Sequence, residues 1–142
     1  MKTKVLLLCT LFLAVVGGVK AQSFSDGDGT QQNPYIISSR EDFNSFAQLV
    51  NSGTGDYASK YYQLGGDIDY DGCYDYVPVG TSDHPFTGTF DGKGYIVDGP
   101  QMLTSENGET VRDFAREYTG LFGYVGIGGV VKNVKVENPY IK

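Results

Sequence analysis

The residue types best suited to chemistry are the carboxylates of one short acidic stretch, DIDYDG. Asp67, Asp69 and Asp71 place oxygen ligands at alternate positions, and a glycine then permits a sharp turn, as in the first half of a calcium-binding loop. Asp75 falls at the ninth position of such a loop, but Pro78 stands at the twelfth, where an EF-hand has a bidentate glutamate. The stretch is therefore not an EF-hand. Two interpretations remain: a turn with exposed carboxylates, or a calcium site formed by these four aspartates.

Tyrosines crowd the same region, and exposed rings there could stack on sugar faces while the carboxylates bind hydroxyl groups. Aromatic residues are also ordinary strand residues, so the alternative is that some rings pack inside the fold and others lie on its surface. The predicted ligand-binding residues are Tyr61, Tyr62, Tyr70, Tyr74 and Tyr76.

A polysaccharide-degrading enzyme is the catalytic alternative, because two carboxylates at a suitable separation can hydrolyse a glycosidic bond. The chain has 17 acidic residues, so accidental pairs are many and none is marked by its context. The single histidine, His84, lies in a predicted turn between Asp83 and Pro85. Serine-nucleophile, zinc-binding and phosphate-binding motifs are absent from the sequence. We therefore expect no catalytic residues.

The beginning of the chain predicts secretion. Lys2 and Lys4 precede the apolar run Val5–Val16, and small residues lead to a cleavage site near Ala21. The run is too short for a spanning helix, so we expect residues 1–21 to be a signal peptide and residues 22–142 to be a secreted or cell-surface domain without a membrane span. The net charge of −6 disfavours nucleic acid as a partner. Only Cys73 remains after cleavage, so no disulfide is expected within the mature chain.

The spacing of apolar residues predicts one helix, from about Ser38 to Asn51. Ser38 with Glu41, or Ser39 with Asp42, can form a capping box. Four apolar residues then share one face: Phe43, Phe46, Ala47 and Val50. The polar residues before this helix, Gln22–Asn33, read as a flexible lead-in.

A repeat organises the rest of the chain. At a separation of 32 residues, Phe86 coincides with Tyr118, and the sequence TGTF of residues 87–90 with TGLF of residues 119–122. Short β-branched runs follow both copies and are too short for βαβ units, which favours an all-β fold of stacked parallel coils, a β-helix. The helix would cap the first coil, and an antiparallel β-sandwich is the alternative.

Several segments resemble the GLUG-motif repeat family of secreted and surface bacterial proteins. The motif itself is similar to Gly120–Val125 followed by Gly129–Val136, and Phe86–Ile96 looks like the segment that commonly precedes it. Asn33–Ile37 and Tyr62–Asp69 resemble the usual opening of such chains. The resemblance implies a right-handed parallel β-helix of the adhesin type outside the cell, and it implies no single activity.

The sequence therefore predicts a secreted or cell-surface, non-catalytic, adhesin-like module that presents a surface to a glycan or protein ligand. A fragment of a polysaccharide lyase or glycosidase and a purely structural spacer are the alternatives. The chain carries one full GLUG unit and a long insertion, Gly99–Glu117, and it ends directly after a predicted strand. We therefore expect one of three things to cover the last coil: the terminal segment itself, an oligomer partner, or a downstream domain, in which case residues 22–142 are the front part of a longer protein.

Overall fold

The computed structural model describes residues 24–71, 73, 76–100, 104–106, 109–111 and 120–139, so the predicted signal peptide lies outside the described residues. In chain order the elements are β1 (Tyr35–Ile37), α1 (Arg40–Asn51), a 3-10 turn (Tyr57–Ser59), β2 (Tyr61–Leu64), β3 (Ile68–Asp69), β4 (Thr89–Asp91), β5 (Ile96–Asp98), β6 (Thr104–Glu106), β7 (Glu109–Val111), β8 (Val130–Lys132) and β9 (Lys135–Glu137).

Helix α1 begins and ends where its sequence predicts. The Ser39 hydroxyl accepts a hydrogen bond from the amide of Asp42 (3.1 Å), and the Asp42 carboxylate accepts one from the amide of Ser38 (3.0 Å). The first bond satisfies an amide that the first turn of a helix leaves without a partner, and the second ties the residue before the cap to the helix. Gly53, at φ +66°, follows the last turn. The predicted apolar face is confirmed, since Phe43, Phe46, Ala47 and Val50 are all buried.

The strands form two parallel sheets and one antiparallel pair. The larger parallel sheet has the order β1-β2-β4-β8, the smaller has the order β3-β5-β9, and β6 pairs with β7. A short turn joins β4 to β5, and another joins β8 to β9. Each turn contains residues with positive φ: Lys93 and Gly94 in the first, and Asn133 in the second. The chain also passes from β2 to β3 through residues 65–67, so it turns from the larger sheet to the smaller one three times through a short corner.

The predicted all-β class, the short right-handed parallel β-helix with a capping helix, is wrong. Helix α1 has 12 residues and connects β1 to β2, which are parallel neighbours, so these elements form a βαβ unit. The fold therefore combines an α-helix with two parallel sheets. The antiparallel sandwich is also wrong, because all neighbours in both larger sheets run parallel.

The repeat at 32 residues does not give the register of the strands. Phe90 lies opposite Val131, whereas the sequence repeat aligns Phe90 with Phe122. Phe122 instead bridges Val79, and Phe86 bridges Val125. The register of the strands is set by the alternation of side chains that buries Phe90 and by the glycine-containing turns between strands. It is not set by the similarity between the two copies of the repeat.

The core is a cluster of aromatic rings between α1 and the sheets. The ring centroid of Phe46 lies 4.2 Å from Tyr62, 5.8 Å from Phe90 and 5.5 Å from Phe86. Phe43 contacts Phe90 as well, at 6.0 Å. These rings come from β2, β4 and the segment before β4, so α1 packs across several strands of the sheet. The helix therefore contributes to the main core, whereas the predicted cap would have covered only the first coil.

Cys73 is buried beside α1, and Arg40 donates a hydrogen bond to its sulfur. The prediction of no disulfide concerns the chain after cleavage of residues 1–21, and it stays a prediction. The other cysteine of the sequence, Cys9, lies outside the described residues.

Replacing Phe46 with alanine should lower the free energy of unfolding by about 3–5 kcal/mol, because it removes a fully buried ring that several others contact. The matched control is Gln48→Ala on the exposed face of the same helix, where we expect a change within about 0.5 kcal/mol. Urea unfolding of the two variants measures the difference. Equal effects would contradict the packing of α1 on the sheet.

Candidate functional site

Three of the five predicted ligand-binding tyrosines lie in the core. Tyr62, Tyr70 and Tyr76 are all less than 5% exposed. The hydroxyl of Tyr62 donates to the carbonyl of Tyr57 (2.7 Å), and that of Tyr70 donates to the Asn44 side chain (2.8 Å).

The hydroxyl of Tyr76 donates to the carbonyl oxygens of Gly120 (3.0 Å) and Leu121. Each of these rings is therefore a core residue whose polar tip is satisfied inside the protein, and the three do not form an exposed binding face. Tyr74 lies outside the described residues.

The predicted calcium ligands Asp67, Asp69 and Asp71 are exposed, and two of them accept hydrogen bonds from backbone amides. The Asp67 carboxylate accepts from the amide of Ile96 (2.8 Å), and that of Asp69 accepts from the amide of Asp71 (2.8 Å). Asp75 lies outside the described residues. Within the part of the chain that the structure describes, no three acidic, histidine or cysteine side chains are grouped to hold a metal ion. What the structure describes of this stretch is the short strand β3 followed by a turn at Asp71.

The fifth tyrosine, Tyr61, lies on the opposite face of the sheet from Tyr62. Side chains alternate along β2, so Tyr62 and Leu64 point into the core while Tyr61 and Gln63 stay partly exposed. Tyr61 thereby lines a groove of about 770 Å³ over the outer face of the larger sheet. The residues around it are Asp26, Gln31, Gln32, Asn33, Pro34, Ile36, Tyr61, Tyr62, Gln63, Thr89, Asp91, Lys93, Val130 and Lys132.

Strand register arranges the floor of this groove in two rows. Tyr61, Thr89 and Val130 are neighbours on successive strands. Gln63, Asp91 and Lys132 form the second row in the same way. Adjacent strands lie about 4.8 Å apart, so each row places three different side chains within about 10 Å. An aromatic ring thus lies beside a row of amide, carboxylate and ammonium groups.

Asp91 is held in the groove by two hydrogen bonds and two ion pairs. One carboxylate oxygen accepts hydrogen bonds from the Asn133 side chain (2.9 Å) and the amide of Lys93 (3.0 Å). The other oxygen lies 3.6 Å from the ammonium of Lys132 and 3.8 Å from that of Lys93. Desolvation acts to raise the pKa of Asp91, but the hydrogen bonds from Asn133 and Lys93 and the two ammonium charges outweigh it, so the pKa lies below its usual value.

The wall of the groove comes from the segment before β1, where Asp26 and residues 31–34 line it. The amides of Asp28 and Gly29 both donate to the carbonyl of Asn33, and the carbonyl of Gly29 accepts from the amide of Tyr61 (3.0 Å). A Cβ atom at Gly29 would lie 2.3 Å from the Tyr35 ring, and φ there is +78°. Glycine is therefore required for this wall to lie against the sheet.

Sequence reasoning missed this wall. The predicted flexible lead-in of residues 22–33 is wrong for its described part, because residues 26–33 form a turn bonded to the sheet. The side chains of Asp28 and Thr30 reinforce the turn: the Asp28 carboxylate accepts from the amide of Thr30 (3.0 Å), and hydrogen bonds to Thr30 lower the pKa of Asp28. The two aspartate–glycine pairs were the available signal, since both residue types favour tight turns.

The lowered pKa of Asp91 bears on what this group can do in the groove. A glycosidase acid has its pKa raised, so that it carries a proton near neutral pH. Asp91 is shifted in the opposite direction, and its carboxylate is therefore suited to accept hydrogen bonds from a ligand.

Comparison with known proteins gives one distant similarity. Over 144 aligned positions the chain is 27% identical to a protein of Evansella cellulosilytica that is named "Putative Gly-rich membrane protein". The alignment covers 94% of this chain and 15% of the other, so the chain spans about 15% of that relative's length. No family model matches the chain, and no solved structure matches it. Among the described residues, none of the helices combines the length and the apolar character needed to cross a bilayer.

Replacing Asn133 with glycine should raise the pKa of Asp91, because it removes one hydrogen bond to the carboxylate and keeps the positive φ that glycine tolerates. A depressed carboxyl pKa stabilises the fold above the unfolded value of 3.8, and this stabilisation is lost as the pH falls through the folded pKa. Asn133→Gly should therefore reduce stability at neutral pH and have a smaller effect in acid. Carboxyl NMR titration and unfolding at both pH values measure this.

Asn138 provides a matched control. It also has a positive φ, and its side chain donates to Asp98 (2.7 Å), outside the groove. Asn138→Gly should leave the pKa of Asp91 unchanged. An equal shift in both variants would show that the pKa does not depend on the Asn133 contact.

Tyr62 and Tyr76 should stay protonated in alkali until the chain unfolds. Burial raises the pKa of both phenols, and neighbouring tyrosines add to the effect: Tyr35 and Tyr57 beside Tyr62, and Tyr70 beside Tyr76. Since both pKa values lie above 10.0, this contribution to stability is present below that pH and is lost as the pH rises further.

Tyrosinate absorbance during alkaline titration tests this prediction, with the urea-unfolded chain as the reference. Tyr62→Phe and Tyr76→Phe should each remove part of the absorbance that appears only on unfolding. If either substitution instead reduces the early absorbance, that ring is accessible in the folded chain.

Proposed function

We propose that this chain is a secreted, non-catalytic module of a cell-surface protein and that it binds a glycan in the groove over the larger sheet. The observation that carries the proposal is the position of Tyr61. Its ring lies on the groove floor, and Gln63 and Asp91 form the neighbouring row of polar groups.

Sugars present an apolar C–H face surrounded by hydroxyl groups. A tyrosine ring offers a flat apolar surface for such a face, and amide and carboxylate groups accept and donate the hydrogen bonds of the hydroxyls. Amides are frequent around this groove: Gln31, Gln32, Asn33 and Gln63 all line it. Backbone pairing of β2 with β4 holds the positions of Tyr61, Gln63 and Asp91 before a ligand binds, which favours affinity.

Local charge favours an uncharged glycan. Two aspartates, Asp26 and Asp91, and two lysines, Lys93 and Lys132, line the groove, so its charged side chains sum to zero. The chain as a whole carries a net charge of −6 and repels polyanions. A neutral oligosaccharide therefore suits the groove better than a sulfated or uronic one.

The sequence supports the cellular location and the setting in a longer protein. The predicted signal peptide at residues 1–21 directs the chain outside the cell, and the resemblance to GLUG-motif proteins fits an adhesin-like setting. The relative from Evansella cellulosilytica is named a membrane protein and is several times longer than the aligned region. We infer that this module is one part of a surface protein of that general kind.

Replacing Tyr61 with alanine should weaken binding of a neutral oligosaccharide about tenfold or more, because the stacking surface is lost, and a tenfold change corresponds to about 1.4 kcal/mol. Tyr61→Phe keeps the ring and should bind nearly as well as the original chain. Calorimetric titration with ligands first selected on a glycan array measures both affinities.

Tyr95 supplies the matched control, since it is exposed and does not line the groove. Tyr95→Ala should leave the affinity unchanged. Equal losses in the Tyr61 and Tyr95 variants, or binding confined to sulfated and uronic glycans, would refute the proposed site.

A further inference from the structure

The last strand of each parallel sheet leaves an edge open at the same end of the described structure. Strand β8 ends the order β1-β2-β4-β8, and β9 ends the order β3-β5-β9. All six residues of these two strands are exposed. Among the described strands none pairs with the outer side of β8 or β9, so both edges offer backbone amides and carbonyls to an added strand.

Apolar side chains accompany this open edge. Val131 and Val136 stand in register with Phe90 and Val97, which are fully buried. The two valines are 36% and 38% exposed, because no further strand covers them. A nearby residue, Ile127, is fully exposed. An exposed apolar group beside unpaired backbone is typical of a surface that binds another strand.

The charges of β9 point to a second copy of this chain as the partner. The strand reads Lys135-Val136-Glu137, with the two charged side chains on one face and the valine on the other. If two copies pair antiparallel about Val136, Lys135 of each lies opposite Glu137 of the other. Opposite charges directly across an antiparallel pair are stabilising, and a two-fold axis makes both pairs at once.

The ion pair that Lys135 and Glu137 form within the chain does not prevent them from pairing with another chain. Lys135 and Glu137 lie 3.7 Å apart within the chain, and their side chains are 65% and 47% exposed. An exposed pair of this kind contributes little, so each group is free to take a partner on another chain. The other face of the strand would then place Val136 of one copy against Val136 of the next and extend the buried row that begins at Val97.

We propose that the chain forms a two-fold dimer through antiparallel pairing of the β9 edges, with Lys135 of each copy bound to Glu137 of the other. The dimer does not depend on the glycan groove, which lies on the outer face of the larger sheet. Light scattering and sedimentation of the 142-residue chain over a range of concentrations should show a monomer–dimer equilibrium that weakens as salt is added.

Charge reversal tests the pairing directly. Glu137→Lys places lysine opposite lysine, and Lys135→Glu places glutamate opposite glutamate, so each variant alone should dimerise at least about tenfold more weakly. An equimolar mixture of the two variants restores both opposite-charge pairs and should form a heterodimer with the affinity of the original chain. Asp56→Lys, an exposed reversal far along the chain, should leave dimerisation unchanged.

Circular dichroism of each variant establishes that a loss of dimer is not a loss of folding. The proposal is overturned if the original chain stays monomeric at all concentrations, which would mean that another molecule or segment covers the edge. It is also overturned if the single variants dimerise as well as the original chain, or if the mixture stays monomeric.

Discussion

Contact between one face of α1 and the aromatic side chains of the sheets is the interaction on which the rest of the fold depends. The strands have two to four residues each, and elements of that length are not stable alone. Phe43 and Phe46 give them a common surface, because their rings contact side chains from several separate segments. A helix of 12 residues is likewise marginal by itself. Helix and sheets therefore stabilise each other, and neither defines the fold alone.

This shared core also explains how the outer face of the sheet becomes a binding surface. The period of two along β2 commits Tyr62 to the core and leaves Tyr61 beside the groove. A shift of one residue in register would exchange the two rings, so the packing of Tyr62 against Phe46 fixes the position of Tyr61. Stability and ligand binding thus use adjacent residues of the same strand, and the core determines the geometry of the groove.

The open edge follows from the same arrangement. Each strand covers the one before it, so the last strand keeps its apolar residue exposed until something pairs with it. In β8 and β9 that residue is Val131 or Val136, and charged residues lie beside both. Charges at an edge normally oppose uncontrolled pairing. In β9, however, the order lysine–valine–glutamate does not repel a second copy of the strand. When two copies pair antiparallel, the lysine of each lies opposite the glutamate of the other.

The sequence by itself determined the features that depend on neighbours along the chain: the limits of α1, a serine cap at residue 38 or 39, its buried face, and the corner after β4. Each is decided by residues within one or two turns of each other. Only the tertiary structure decided the fold class, the pairing of Phe90 with Val131, and the side of the sheet on which each tyrosine lies. These features depend on contacts between distant segments. The sequence does not distinguish the two adjacent tyrosines of β2, and only packing buries Tyr62 and leaves Tyr61 on the outer face. The groove could not be predicted for the same reason, since its wall and floor come from segments that meet only in the folded chain.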